Sequence, residues 1–264
     1  GNSDEVIAEL LALNGSSAGA RPKALIGVDK ERKNISFGAH QLSDGFEPWM
    51  VKFQNSQDGN DSGAIEYVYA LMATEAGIAM PNVHLFSSQK GNGYFAVKRF
   101  DREGNERLHM HTVSGLIHSN FRFPSLDYED LLSLTSFLTK DIREVEKMFR
   151  LAVFNVMAHN QDDHAKNFSF LMNELGEWKL SPAYDLTFSN GPGGEQSTMV
   201  LGEGRNITLQ HLLKLGTEAQ LSKNFIESVI DQTRSALGKW TDLAKYYGVS
   251  YSNINFTNRS ISKW

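Results

Sequence analysis

The amino-acid sequence predicts an α+β fold of two lobes, because strand patterns and helix patterns are segregated along the chain. Short apolar or alternating runs, typical of strands, occur within the first hundred residues. Beyond them, apolar residues recur at spacings of three and four, which indicates amphipathic helices. We therefore expect a β-rich N-lobe over residues 1–100 and an α-helical C-lobe over residues 101–264.

The first predicted element is a loop of small residues that leads into an apolar strand, over residues 13–28. A loop without bulky side chains lets backbone N–H groups approach phosphate closely, and Arg21 or Lys23 could add positive charge. The loop matches neither of the common glycine-rich phosphate-binding patterns, so an ordinary Gly/Ser turn remains the alternative.

A strand and a helix follow, and each carries one charged residue of interest. Residues 49–54 alternate large apolar residues with Lys52, and residues 62–77 have helical spacing and contain Glu66 in the first turns. Protein kinases hold a strand lysine on the nucleotide phosphates by pairing it with a glutamate on the next helix. Taken singly, each charge is typical of a protein surface.

Residues 83–86 and 94–100 are the last strands predicted for the N-lobe, and the second ends in Lys98, Arg99 and Phe100. In a kinase, the chain that leaves the small sheet at this point forms the hinge, whose backbone meets the adenine edge. The helices predicted for the C-lobe cover residues 126–138, 142–157 (capped by Asp141), 209–215, 218–237 and 239–247.

Residues 160–167, at the end of the long helical pattern, have the composition of a catalytic loop for phosphoryl transfer. Asp162 and Asn167 have the kinase spacing D-x-x-x-x-N, in which the Asp accepts the proton of the attacking hydroxyl group and the Asn holds Mg²⁺. Asp163 is one residue short of this spacing. Asp185, after a hairpin predicted over residues 168–172 and 178–180, is placed to be a second metal ligand. Turn formation by these acids is the alternative.

Composition limits the classes of function. The absence of Cys excludes disulfides and Cys-ligated metals and fits a reducing cytoplasm. The net charge of −5 argues against an extended nucleic-acid surface, and the apolar runs are too short for a membrane span. The first eleven residues lack the features of a secretory signal, and the start at Gly1 suggests a chain that begins inside a longer protein.

Taken together, these residues resemble the HipA family of bacterial toxin serine/threonine kinases, in the family's order over positions 16–188. The shared stretches are residues 16–23, 51–52, 97–102, 162–169 and 181–185, and the helix of Glu66. The most specific are D-x-H-x-K-N-F, which begins at Asp162, and P-x-Y-D, which ends at Asp185. The resemblance implies a protein-kinase-like fold and a serine/threonine protein kinase that uses ATP and Mg²⁺.

By position, the resemblance also implies roles for individual residues. Asp162 would be the catalytic base, Glu66 the partner of the strand lysine, and Asn167 and Asp185 the Mg²⁺ ligands. The implied ATP-binding residues are Ala18, Gly19, Ala20, Arg21, Lys23, Lys52, Lys98, Arg99, Phe100, His164, Lys166, Asn167, Tyr184 and Asp185. For His164 and Lys166, a role in stabilising the loop is the alternative. Ser16, or the adjacent Ser17, would be the serine that family members autophosphorylate to inactivate themselves.

The implied partners are a HipB-like DNA-binding antitoxin, with DNA contacted only through it, and protein substrates such as aminoacyl-tRNA synthetases. Two features depart from the family. Arg21-Pro22 stands where the best-known members have Gln-Glu, and no small N-terminal subdomain precedes the phosphate loop, as expected of a truncated chain or a short toxin. The alternative functions are a small-molecule phosphotransferase and an inactive kinase-like scaffold that binds an antitoxin.

Overall fold

The computed structural model describes residues 2–14, 21–38, 42–54, 59–89, 91–120 and 125–264. The chain forms two compact units, each built from several segments. Unit 1 comprises Gly1–Val68, Pro81–Arg107 and Asp242–Ile254, and unit 2 comprises Tyr69–Met80, Leu108–Thr241 and Asn255–Trp264. The lobe boundary predicted after Phe100 stays a prediction.

Unit 1 contains a five-stranded antiparallel sheet. Its strands are β1 (Lys23–Asp29), β2 (Ile35–Ser36), β3 (Phe46–Lys52), β4 (Val83–Phe86) and β5 (Tyr94–Lys98). They lie in the order β2-β1-β3-β5-β4. Helix α1 (Ser3–Asn14) contributes Val6, Ile7 and Leu10 to an apolar core that also contains Ile26 and Trp49 of the sheet. Side chains alternate across a strand, so Lys52 lies on the face of the sheet that is turned away from this core, together with its neighbours on that face.

Strand β3 begins at Phe46, three residues before the predicted start, and contains Pro48. In an antiparallel strand the N–H and C=O groups of one residue point to the same neighbour. The Pro48 carbonyl accepts a hydrogen bond from Arg99 N at 2.8 Å, just beyond the end of β5 at Lys98. The N–H that proline lacks therefore faces the end of the β5 ladder, and pairing with β1 is unaffected.

Helix α2 (Ser62–Glu75) confirms the helix predicted from the spacing of its apolar residues. Gly77 follows with φ +81°, the left-handed conformation that commonly ends helices. The division between the two units falls within this helix, after Val68. Unit 1 also contains a two-stranded hairpin of β6 (Arg102–Glu103) and β7 (Glu106–Arg107).

Unit 2 combines helices with a small antiparallel sheet. Its strands are β8 (His109–Thr112), β9 (Ser169–Met172) and β10 (Trp178–Leu180), in the order β10-β9-β8. Its helices are α3 (Val113–Asn120), α4 (Tyr128–Thr139), α5 (Ile142–Met157), α6 (Leu209–Glu218) and α7 (Lys223–Leu237). Strand β10 contacts α4 and α5, and α5 in turn contacts α7. The last helices of the chain are α8 (Trp240–Tyr246) and α9 (Tyr251–Ile261).

Several predicted boundaries are confirmed and others are wrong. Helix α5, its cap Asp141 and strand β4 lie where they were predicted. The helix predicted from Glu218 begins instead at Lys223, because Gln220 has φ +61° and Ser222 caps the new start. Helices α1, α3 and α9 were not predicted. In the part of the chain that the structure describes, no helix is both long and apolar enough to span a bilayer.

Candidate functional site

Lys52 and Glu66 form a buried ion pair in unit 1. Lys52 Nζ donates a hydrogen bond to Glu66 Oε1 at 2.5 Å, and the two residues are only 8% and 3% exposed. Strand β3 supplies the lysine as its last residue, and helix α2 supplies the glutamate from its first turns. The structure thus brings together the two residues that the sequence predicted as a pair.

Further groups surround this ion pair. Arg21 Nη1 lies 3.9 Å from Glu66 Oε2, and Lys52 Nζ lies 5.5 Å from the centroid of the Phe95 ring. Taking two charges out of water is costly, and either one left alone in this position would be strongly unfavourable. The buried lysine and glutamate therefore stabilise each other.

The sheet face that carries Lys52 and Lys23 is apolar beyond these two lysines. The strand register sets Lys23 opposite Lys52, Leu25 opposite Met50, and Met50 opposite Val97. Residues directly opposite each other share a face, and facing lysines repel unless negative charge neutralises them. Leu25 is 60% exposed. An apolar strip beside two lysines fits a ligand with a flat apolar ring and phosphate groups.

Lys98 and Arg99 have acidic partners within unit 1. Lys98 Nζ donates to Glu47 Oε1 at 2.7 Å, and this hydrogen bond lowers the pKa of Glu47. Arg99 makes a two-point ion pair with Asp101, through Nε at 3.0 Å and Nη2 at 2.8 Å. Arg99 also lines a cavity of about 230 Å³ within unit 1. Contact of Lys98, Arg99 and Phe100 with adenine stays a prediction.

In unit 2 the predicted catalytic loop follows helix α5. The Asp162 side chain is 56% exposed, so its carboxylate is accessible to a substrate. Asn167 Nδ2 donates to the Asp162 carbonyl at 2.8 Å, which closes the loop and leaves Oδ1 as the amide oxygen that can bind a metal. His164 Nε2 lies 3.8 Å from Asp162 Oδ1. The His164 Nδ1 atom is buried and has no hydrogen-bond partner among the described residues.

Asp163, interpreted from the sequence only as the neighbour of Asp162, is buried and anchors the loop. Its carboxylate accepts hydrogen bonds from the Tyr128 hydroxyl, from Gln196 Nε2 at 3.0 Å and from Thr198 N at 3.0 Å. Its backbone carbonyl accepts a bond from the Thr198 hydroxyl. Burial raises the pKa of Asp163 to about 7, although the donors act in the opposite direction.

Tyr184, which directly precedes the predicted metal ligand Asp185, forms a hydrogen bond to the residue that directly precedes the other predicted ligand, Asn167. Its hydroxyl donates to the Lys166 carbonyl at 2.8 Å and lies 2.5 Å from Ser169 Oγ. Lys166 precedes Asn167, and Tyr184 precedes Asp185. Burial raises the pKa of Tyr184 to about 12, so the hydroxyl keeps its proton. Asp185 has φ +56°, a strained conformation for a residue other than glycine, so its surroundings impose its position.

The predicted ligands have the chemistry that Mg²⁺ requires. Asp185 offers carboxylate oxygens and Asn167 an amide oxygen, and Mg²⁺ in nucleotide sites takes its other ligands from water and phosphate. Among the described residues, no group of three or more His, Asp or Glu side chains could hold a metal. A Mg²⁺ ion held by these two residues would take its remaining ligands from water and phosphate, and it would neutralise phosphate charge.

Five of the predicted site residues, Ser16, Ser17, Ala18, Gly19 and Ala20, lie outside the described residues. Arg21 and Lys23, which follow them, are described and exposed.

Sequence reasoning missed two parts of the site. Alternation along the strand, which places Met50 and Lys52 on one face, could have identified the apolar strip of Leu25 and Met50. No sequence signal links Asp163 with Gln196, which lies 33 residues away.

Comparison with known proteins places these features in one family. The sequence matches the HipA-like C-terminal domain over residues 15–240. It is 24% identical over 212 residues to "Putative kinase Y4dM" of Sinorhizobium fredii, covering 73% of this chain and 50% of the relative. It is 28% identical over 128 residues to "Putative kinase Y4mE" of the same bacterium, covering 45% of this chain and 30% of the relative.

Two solved structures have a similar fold. One belongs to the toxin–antitoxin complex of HipA, HipB and operator DNA from Shewanella oneidensis, with a TM-score of 0.67 and 18% identity, covering 94% of this chain and 62% of that one. The other is the proinflammatory kinase CtkA of Helicobacter pylori, with a TM-score of 0.54 and 13% identity, covering 83% of this chain and 89% of that one. The prediction of an α+β, kinase-like fold is confirmed.

The chain spans about half the length of the Y4dM relative that it matches. The family match itself covers most of the chain and includes both the Lys52–Glu66 pair and the loop from Asp162 to Asn167. The chain therefore belongs to the family of HipA-like C-terminal domains, and the predicted resemblance is confirmed.

Proposed function

We propose that the chain is a serine/threonine protein kinase that uses ATP and Mg²⁺. The observation that carries the proposal is the loop of unit 2, where an accessible Asp162 is fixed between the buried Asp163 anchor and the Asn167 bond. An accessible carboxylate beside an amide oxygen is what phosphoryl transfer to a hydroxyl group requires.

In the proposed reaction, a serine or threonine oxygen of the substrate attacks the γ-phosphorus of ATP. The bond between this phosphorus and the β–γ bridging oxygen breaks, ADP leaves, and the hydroxyl proton passes to Asp162. Lys52, held by Glu66, supplies positive charge to the phosphates, and Leu25 and Met50 supply an apolar surface for the purine. Asn167 and Asp185 would hold Mg²⁺.

We include in the proposal a protein substrate and a cytoplasmic site of action, which the resemblance to the HipA kinases implies. Because the HipA structure is a complex with HipB and operator DNA, we include a HipB-like antitoxin among the proposed partners, with DNA bound only through it. An aminoacyl-tRNA synthetase is the proposed class of substrate. In the parts of the chain that the structure describes, no specific contact favours a small-molecule phosphotransferase or an inactive scaffold.

The test compares Asp162→Asn and Asp185→Asn with the wild type in phosphate transfer from labelled ATP to proteins of a cell extract. Both variants should unfold at the wild-type temperature, and transfer should fall by about 10² to 10⁴ for Asp162→Asn, since a general base contributes that much. Glu174→Gln, at an exposed acid of unit 2, is the control. A folded Asp162→Asn protein with the wild-type rate would refute the assigned base.

Self-inactivation is the second part of the proposal. A phosphate on Ser16 or Ser17 would add about −1.5 to −2 charge beside the nucleotide phosphates, and repulsion would weaken ATP binding. Incubation with Mg²⁺ and ATP should place phosphate within residues 13–23 and lower the affinity for ATP. Ser16→Ala/Ser17→Ala should keep its affinity. A phosphorylated wild type that binds ATP as tightly as this double variant would contradict the proposal.

A further inference from the structure

Asp61 lies directly before helix α2, and donors from distant parts of unit 1 surround its buried carboxylate. Its Oδ2 atom accepts hydrogen bonds from Ser250 N at 2.9 Å, Ser250 Oγ at 2.5 Å and Asn253 Nδ2 at 2.7 Å. Its Oδ1 atom accepts one from Asn92 Nδ2 at 2.5 Å. Burial acts to raise the pKa of Asp61, but these bonds outweigh it, so the pKa lies below the usual value. The ionised carboxylate is therefore the favoured form.

Two further contacts hold the same end of α2. The Tyr67 ring packs edge-on against Tyr247, with 4.9 Å between the ring centroids. Gly63 lies so close to Gly93 that a Cβ atom at position 63 would be 2.3 Å from the Gly93 carbonyl oxygen. Glu66 lies between Gly63 and Tyr67 in the sequence, so both contacts act on the turns that carry it.

We propose that Asp61 is a positioning residue, through which the segment of residues 247–253 fixes the start of α2 and so holds Glu66 against Lys52. Glu66 follows Asp61 by five residues, or about 7.5 Å of helix, so an anchor at Asp61 fixes its place closely. We call residues 247–253 the C-terminal brace. The inference rests on the proposed function only where it links the Lys52–Glu66 pair to the use of ATP.

The chemistry of the cluster makes the anchor strong. Hydrogen bonds to a charged acceptor are stronger than neutral ones, and loss of the acceptor leaves buried donors without a partner. The helix dipole, whose N-terminal end is positive, also stabilises a carboxylate at this position. Asparagine at position 61 could keep two of the three bonds at Oδ2 with its oxygen. Its amide could then donate to Asn92, if the Asn92 amide turns over.

The experiment measures hydrogen exchange of the amides of residues 65–68, which needs no catalytic activity, together with kcat and KM for ATP. Asp61→Ala should speed exchange there by about 10-fold to 100-fold, as expected for the loss of hydrogen bonds to a charge, and raise KM for ATP. Asp61→Asn should bring both the exchange rate of these amides and the KM for ATP most of the way back to the wild-type values. Ser250→Glu, which places a second negative charge beside Asp61, should act like Asp61→Ala, whereas Lys245→Ala, exposed on the adjacent helix, should change neither.

Ser250→Ala, which removes one bond and keeps the backbone donor, gives a milder variant if Asp61→Ala does not fold. Unchanged exchange at residues 65–68 in a folded Asp61→Ala or Ser250→Glu protein would overturn the anchor. Faster exchange with unchanged KM and kcat would overturn the positioning role. Faster exchange in a chain that transfers no phosphate even as wild type would support the anchor and refute the proposed function instead.

Discussion

At the scale of single residues, variants of Lys52 and Glu66 can separate the effect of the ion pair on stability from its effect on ATP binding. Among the described residues, Lys52→Met leaves the buried glutamate with Arg21, at 3.9 Å, as its nearby cation. Loss of one member of a buried pair costs about 3–5 kcal/mol. Lys52→Met/Glu66→Leu removes both charges and should regain most of that stability, because apolar replacement of a buried ion pair is often neutral. Neither variant should bind ATP tightly. Denaturant unfolding and ATP titration measure the two effects.

Tight ATP binding by the double variant would show that the lysine does not contact phosphate. A double variant as unstable as Lys52→Met would instead show that the pair contributes more than the packing of its side chains.

The raised pKa of Asp163 leads us to expect that the stability of the chain depends on pH. Its pKa of about 7 in the folded chain lies above the usual value of 3.8, so the folded state binds more protons than the unfolded state between these values. The contribution of this group to the free energy of unfolding is therefore full below pH 4, falls as the pH rises, and levels off above pH 7. Thermal unfolding of Asp163→Asn should lose this part of the slope. An identical pH dependence in wild type and variant would contradict the raised pKa.

Asp162 and Asp163 show how much a sequence can predict at the scale of single residues. The spacing from Asp162 to Asn167 and the order of Lys52 and Glu66 are local patterns, and the structure places both pairs in contact. The burial of Asp163 depends on Thr198, 35 residues further along the chain, and no local pattern reports such a distance.

At the scale of elements, strong local patterns were predicted well and elements formed by context were not. Helix α5 has a clear apolar face and a capping aspartate, so both of its ends were predicted. Strand β8 contains two histidines and becomes a strand because it pairs with β9. Helix α3 contains Gly115 and two serines, which are weak helix formers, and it was not predicted.

Helix α2 leads to a prediction about Gly63. A Cβ atom there would lie 2.3 Å from the Gly93 carbonyl oxygen, and backbone atoms cannot move aside as side chains do. Gly63→Ala should therefore lower stability by about 1–3 kcal/mol, in the range of overpacked sites, and weaken ATP use by displacing Glu66. Gly59→Ala is the matched control, because no atom of the described residues outside its chain neighbours lies within 4 Å of its added Cβ. Equal unfolding midpoints for the two variants would contradict the close approach.

At the scale of the whole molecule, a ligand that binds only the folded chain should stabilise it. ATP with Mg²⁺ at 100 times its Kd should add about 2.7 kcal/mol, or roughly 5–10 °C in the unfolding midpoint for a chain of this size. Removal of Mg²⁺ by EDTA should abolish most of the shift, and Asp185→Asn should respond to ATP equally with or without Mg²⁺. A full shift in the presence of EDTA would contradict the proposed metal site.

Unit 1 contains residues that the ribosome adds long after Asp61. Ser250 and Asn253 follow Asp61 by 189 and 192 residues, so at 5–20 residues per second they are added roughly 10–40 s after it. During that interval the nascent chain contains the residues of helix α2 but not the whole of Asp242–Ile254, one of the three segments of unit 1. If Asp61 positions Glu66 as proposed, the order of synthesis delays the Lys52–Glu66 pair. A growing chain would then bind ATP more weakly until residue 253 has been made.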